Sequence, residues 1–240
     1  MEKLFTKKII INMGKIKKNI LEIKKNISKI SLDLNRAVDS VTLMAVSKKQ
    51  SAENIREAYK AGQKDFGENY LQESISKIQE LHDLEIVWHY IGSIQSKKSK
   101  LIAENYDWVH SIDKISTLKK INNYRDDTKG KINICIQVNI DAEDTKSGIY
   151  IHEVEDFIKE CGNMNQVNIR GLMAIPKYQK ESDLKNEAFK KIKRLFDDLV
   201  KKEYRLDTLS IGMSSDYEEA IGSGSTIVRI GTAIFGEREK

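Results

Sequence analysis

The sequence predicts an α/β protein built as one (β/α)8 barrel of the TIM type. Short apolar runs of strand length recur eight times, and each is followed by a charged segment of helix length. The connections are short, and Pro176 is the one proline in 240 residues. At this length a closed barrel is the economical way to pair eight parallel strands. A doubly wound open sheet is the alternative. The G-x-G-x-x-G fingerprint that would follow its first strand is absent, which weakens a dinucleotide-binding reading. The expected domain spans residues 1–240, with an N-terminal helix at about 13–30 packed on the barrel.

Ile16, Ile20, Ile23, Ile27 and Ile30 recur at steps of four and three between lysines, the pattern of an amphipathic helix. Fewer than four heptads are present, which favours packing on the domain over a coiled coil. Val41 to Lys48 is the first strand. Ser51 opens a helix to about Ala61 as N-cap, and Gly62 closes it. Asp65 to Tyr70 is a short strand running into a turn, and a helix at 70–81 follows. Ile86 to Gly92 is the third strand, then a polar loop and a helix at 96–105. Trp108 to Ile112 is the fourth, followed by a helix from Lys114 to Asn122.

Ile132 to Ile140 is the fifth strand, and a polar loop from Asp141 to Gly148 leads to a helix at 151–161. Val167 to Ile175 is the sixth. A helix at 183–202 then carries Phe189, Ile192, Phe196 and Leu199 on one face. Leu206 to Ile211, a short helix from Ser215 to Ile221, and Ile227 to Ile230 complete the chain.

Charge and composition exclude several function classes. The net charge of +5 arises from 41 basic and 36 acidic residues, and the lysines lie beside glutamates on most helices. Diffuse charge of this kind favours solubility over a nucleic-acid site. Cys135 and Cys161 are the two cysteines. They suggest neither a disulfide framework nor a zinc site, which fits a reducing cytoplasm. Ile9 to Ile11 is too short for a signal segment, and no stretch is long enough to cross a membrane.

In a barrel the functional side chains gather at the C-terminal ends of the strands. Lys48 ends the first strand on the face of Thr42, Met44 and Val46. Burial lowers a lysine's pKa from about 10.4, so Lys48 is a candidate Schiff-base nucleophile, against the alternative of a solvated strand-end lysine. Lys49 faces outward by parity. The other strand ends collect Gly67 to Asn69, Gly92, Ser93, Ser111, Asn139, Lys146, Met173, Ser210 to Ser214, Gly231 and Thr232.

The loops after strands seven and eight form the recurrent phosphate site of barrels. Ser215 to Glu218 has the spacing of a capping box, which would aim a helix N-terminus at that loop. Gly222 to Ser225 precedes strand eight, so it belongs to the opposite face as a tight turn. Arg229 lies in mid-strand between Val228 and Ile230. A buried guanidinium must find an acceptor, either a structural carboxylate or a ligand atom such as a ring nitrogen. His89 reads as a hydrogen-bonded core histidine. His82, His110 and His152 are too scattered for a metal triad, and Asp141, Glu143 and Asp144 do not match a calcium loop.

Six stretches together resemble one family. They are Leu43 to Lys48, Phe66 to Tyr70, Trp88 to Gly92, Arg170 to Pro176, Leu209 to Ser214 and Val228 to Gly236. In this order they are similar to the YggS/PROSC-type pyridoxal 5′-phosphate (PLP) homeostasis proteins, which look like the N-terminal barrel of alanine racemase. The resemblance implies that PLP forms a Schiff base on Lys48 and that Arg229 faces the pyridine nitrogen. It implies that Ser210, Ser214, Gly231 and Thr232 hold the phosphate and that Met213 and Asn69 line the site. It also implies a handover role for Lys146. One departure stands out: the family's Ser-Lys-Thr-Lys run is Ser47-Lys48-Lys49-Gln50 here.

The resemblance implies a PLP carrier or buffer without robust catalysis, with no catalytic residue and no metal. Other B6 vitamers, and transient contact with PLP-dependent apoenzymes, are the expected partners, and nucleic acid and membrane are not. The expected protein is monomeric and cytoplasmic. The alternative is a PLP-dependent amino-acid racemase. Arginine at the ring nitrogen makes the ring a weaker electron sink, but the alanine racemases that the family resembles also use arginine, so this does not exclude racemisation. The chain also runs out after strand eight, where the racemase would continue into the β-domain that carries its opposing tyrosine.

Overall fold

The computed structural model describes residues 14–143, 146–177 and 182–237. Met13, at the expected start of the N-terminal helix, and Asp144 lie outside the described residues. The strands are β1 (Thr42–Val46), β2 (Asp65–Glu68), β3 (Val87–Tyr90), β4 (Trp108–Ile112), β5 (Ile132–Gln137), β6 (Val167–Met173), β7 (Thr208–Met213) and β8 (Ile227–Ile230). They form a closed barrel in sequence order. Every pairing is parallel, and β8 closes on β1 with Arg229 beside Met44.

The helices are α1 (Lys15–Asp33), α2 (Ala52–Lys60), α3 (Leu71–Glu80), α4 (Ser99–Asn105), α5 (Ile115–Tyr124), α6 (Val154–Glu160), α7 (Ser182–Lys201), α8 (Tyr217–Gly222) and α9 (Thr232–Phe235). Ile16, Ile20, Ile23 and Ile27 of α1 are buried and Ile30 is half-buried, and the helix packs against α2, α8 and α9. Ser51 caps α2 by accepting the Asn54 N–H. On α7 Phe189, Ile192 and Leu199 are buried, as the spacing requires, while Phe196 is half-buried.

The main core lies between barrel and helices. Leu43, Ala45, Phe66, Trp88, Ile134, Val228 and Ile230 belong to one cluster, and Ile136, Leu172, Leu209 and Ile211 to a second. These side chains alternate with inward ones along each strand. Inside the barrel the filling is mixed. Met44 is fully buried beside β2, and a Cβ on Gly67 would come within 2.6 Å of the Met44 sulfur. Glycine at 67 therefore makes room for the methionine.

Three boundaries differ from expectation in ways that matter. β1 stops at Val46, so Lys48 lies in the turn after the strand rather than in it. β7 runs on to Met213, which sets Ser210 inside the barrel. The Ser215–Glu218 capping box does not form. The helix starts at Tyr217 with Asp216 at its N-cap, and the Asp216 carboxylate accepts the Met213 N–H at 2.6 Å.

Candidate functional site

A cavity of about 300 Å3 opens at the C-terminal end of the barrel. Val46, Ile91, Met173 and Ile175 give it apolar walls, and Lys48, Asn69, Met213, Ser214, Ser215, Arg229, Gly231 and Thr232 complete the lining. The volume is at the small end of the usual range for ligand sites. Seven of the eight residues expected at the site therefore share one pocket. Ser210 does not line it. Lys49 is exposed and does not line it.

Arg229 is almost fully buried at the pocket's base. Its Nη1 donates to the Ser210 carbonyl at 2.5 Å and to the Ser210 hydroxyl at 2.8 Å, and Nη2 donates to the Ala174 carbonyl at 3.0 Å. No carboxylate pairs with it among the described residues. Burial pushes its pKa down to about 10, with nearby Asp216 opposing the shift, so it is charged at neutral pH. A charge held by neutral acceptors keeps much of its donor strength for a further acceptor in the pocket.

Ser210 joins Arg229 to a buried polar chain across the barrel. The His110 Nδ1 lies 3.0 Å from the Ser210 hydroxyl. The His110 Nε2 lies 3.0 Å from the His89 Nδ1, and the His89 Nε2 lies 3.1 Å from an Asp65 carboxylate oxygen. Arg229 has no lone pair to offer, so Ser210 accepts from it and donates onward. The consistent assignment has His110 donating to His89 and His89 donating to Asp65. Burial, with the nearby His89 and Arg229, holds the His110 pKa well below the usual histidine value, so this ring is neutral. The expectation that Ser210 holds a phosphate does not fit this position. The residue is fully buried, and its hydroxyl is engaged by Arg229 and His110.

Beyond the ends of β7 and β8, Ser214 accepts the Gly231 N–H at 3.3 Å, which ties the loop after β7 to the loop after β8. Asn69 is held over the pocket by close backbone packing, since a Cβ on Gly92 would lie 2.1 Å from the Asn69 carbonyl oxygen. The Asn69 Oδ1 is buried with no hydrogen-bond partner among the described residues. Lys146 lies apart from the pocket and forms ion pairs with Asp141 at 2.9 Å and Glu143 at 3.6 Å.

The loop region below Lys48 contains a feature the sequence reading missed. Lys77, Glu68 and Glu73 form a mostly buried ion network with Ser47. Lys77 and Glu73 look like an ordinary surface i,i+4 pair. The available signal was Leu71, Ser74 and Lys77 at steps of three, which are the buried residues of α3.

Comparison with known proteins agrees with this architecture. The family described as alanine racemase, N-terminal domain, matches residues 11–239. The chain is 40% identical over 230 residues to the pyridoxal phosphate homeostasis protein of Escherichia coli K12, covering 95% of this chain and 98% of that one. The protein of the same name from Pseudomonas aeruginosa is 42% identical over 227 residues, with 95% and 97% covered. The chain belongs to this family of alanine racemase N-terminal-type barrels. Among solved structures, PipY of Synechococcus elongatus with PLP bound is 33% identical at a TM-score of 0.76, covering 88% of this chain and all of that one. Alanine racemase of Clostridium difficile shares the fold at 13% identity and a TM-score of 0.75, and the chain covers 57% of its length.

Proposed function

We propose that this protein binds PLP at the barrel pocket and serves intracellular PLP homeostasis as a carrier or buffer. The observation that carries the reading is the convergence of Lys48, Arg229 and the Ser214–Gly231–Thr232 wall on one cavity. The donor set fits the group. A primary amine suits an aldehyde, a charged guanidinium suits a ring nitrogen, and hydroxyls with backbone N–H groups suit a phosphate. Apolar walls suit the ring faces. The same-family PipY structure with PLP bound supports this assignment.

When bound, PLP would supply an aldehyde reactive toward a primary amine. The residues of this chain hold it. Lys48 is the amine. Arg229 donates toward the ring nitrogen and keeps it an acceptor. Ser214, Gly231 and Thr232 would hold the phosphate, and Asn69 and Met213 would line the ring's side of the pocket. Residues 1–240 act as one domain in this reading. Transfer to apoenzymes, binding of other B6 vitamers, a monomeric state and a cytoplasmic location belong to the same proposal. No helix among the described residues is long and apolar enough to cross a membrane.

Catalysis is not part of the proposal. Among the described pocket-lining residues, Lys48 and Arg229 are the ionisable side chains. Racemisation needs acid–base groups on both faces of the substrate carbon, and arginine is a poor proton donor or acceptor at neutral pH.

The test is the visible absorbance of the protein mixed with PLP, for wild type and Lys48→Ala, followed by added amino acids in D2O. A stoichiometric band in wild type, absent in the variant and without α-proton exchange, is the expected result. No band in wild type would sink the cofactor reading. A band with sustained exchange would favour the racemase.

A further inference from the structure

We infer that Lys77, acting with Glu68 and Glu73, is the positioning residue for Lys48. It holds the turn Ser47–Gln50 against α3 so that Lys48 projects into the pocket. The inference rests on the reading of Lys48 as the PLP-binding amine.

The contacts fall on both chain neighbours of Lys48. The Lys77 Nζ donates to the Ser47 carbonyl at 2.8 Å, to a Glu68 carboxylate oxygen at 2.9 Å and to a Glu73 carboxylate oxygen at 2.5 Å. Three acceptors match the three N–H donors of an ammonium group. The Ser47 hydroxyl donates to the same Glu68 oxygen at 2.6 Å. The backbone N–H of Lys49 donates to the same Glu73 oxygen at 2.6 Å. The turn itself closes with the Gln50 N–H on the Ser47 carbonyl at 3.0 Å.

Parity gives this arrangement its consequence. Ser47 continues the outward row of Leu43 and Ala45, and Glu68 continues the outward row of Phe66, so both meet α3 behind the barrel wall. With the Ser47 carbonyl and the Lys49 N–H both held from the α3 side, Lys48 between them lines the pocket. The backbone does not reach this shape freely. Lys49 sits at φ 60°, a left-handed conformation that costs a non-glycine residue energy and persists when its surroundings impose it. The Glu73 contact to the Lys49 N–H is one such constraint.

Stability alone does not explain the network. Glu68 is fully buried, and its second oxygen has no hydrogen-bond partner among the described residues. Burial pushes its pKa upward even with Lys77 adjacent. Apolar residues of similar volume often replace a buried ion pair at no cost in stability. They could not direct the Ser47 carbonyl and the Lys49 N–H.

The experiment compares wild type with Glu68→Gln/Lys77→Met, which leaves no orphaned buried charge, and with Glu73→Ala. Amide hydrogen exchange across residues 48–50 is measured without cofactor. The rate of appearance of the visible band on PLP addition is measured beside far-UV circular dichroism. Both variants are expected to keep the wild-type dichroism and to exchange Lys49 faster. The band should form roughly tenfold to a hundredfold more slowly. Unchanged exchange and band rates in either folded variant would overturn the inference. If the double variant does not fold, Glu73→Ala decides alone, because that carboxylate is partly exposed. A wild type without a band overturns the PLP reading and this inference together. A wild-type band with unaffected variants overturns the inference alone.

Discussion

Arg229 donates through a single nitrogen to both the carbonyl and the hydroxyl of Ser210, at 2.5 and 2.8 Å. This pairing fixes the guanidinium from below and leaves the pocket side for a ligand. Ser210→Ala removes the hydroxyl and leaves the His110 Nδ1 without its partner. A buried polar group so orphaned costs about 1–3 kcal/mol. Urea unfolding should report that loss, and PLP titration should show weaker binding, since Arg229 keeps its two carbonyl acceptors but loses one restraint.

His110 makes stability depend on pH. Its folded pKa is depressed by burial, so below the ordinary histidine value of 6.5 the unfolded chain takes up a proton that the folded one refuses. The contribution is complete above that value and is lost as pH falls. One proton corresponds to about 1.4 kcal/mol per pH unit. The free energy of unfolding should therefore drop by about that amount per unit below pH 6.5. His110→Gln should flatten the slope by one proton, as measured by urea titrations at several pH values.

Gly92 has no room for a side chain. A Cβ there would meet the Asn69 carbonyl oxygen at 2.1 Å, and backbone cannot yield as a flexible side chain can. Gly92→Ala is expected to destabilise by about 1–3 kcal/mol, the usual cost of overpacking. It should also displace Asn69 and weaken PLP binding. Thermal melting and PLP titration on the same variant check both effects.

Much of the barrel was legible because strand-length apolar runs alternate with amphipathic helices, and this periodicity survives errors at element ends. Lys48 and Arg229 were legible for a different reason: each is a long cation where an apolar pattern calls for burial. What escaped depended on partners distant in sequence. Ser210 looked like a strand-end serine, but β7 runs three residues further and puts it inside the barrel. Its partner His110 is 100 positions away, and no local pattern couples them. The Ser215–Glu218 spacing was sound, but the Asp216 carboxylate competed for the loop by binding the Met213 N–H. Lys77 sat on the buried stripe of α3, and its four-residue spacing from Glu73 disguised it as a surface pair.

The wall formed by Ser214, Gly231 and Thr232 separates recognition of a phosphate from recognition of a ring. Pyridoxal carries the same aldehyde and ring as PLP but no phosphate. A hydroxyl that donates to a charged oxygen contributes about 1.5–3 kcal/mol, or roughly tenfold to a hundredfold in affinity. Ser214→Ala also releases the Gly231 N–H from its 3.3 Å contact and loosens the two loops against each other. Both Ser214→Ala and Thr232→Ala should weaken PLP binding by about tenfold or more, while pyridoxal affinity stays near the wild-type value. Lys48→Ala should weaken both ligands, because the aldehyde is common to them. Equilibrium titration of the three variants with both vitamers would place the phosphate. An equal loss for PLP and pyridoxal in Ser214→Ala would move it away from this wall.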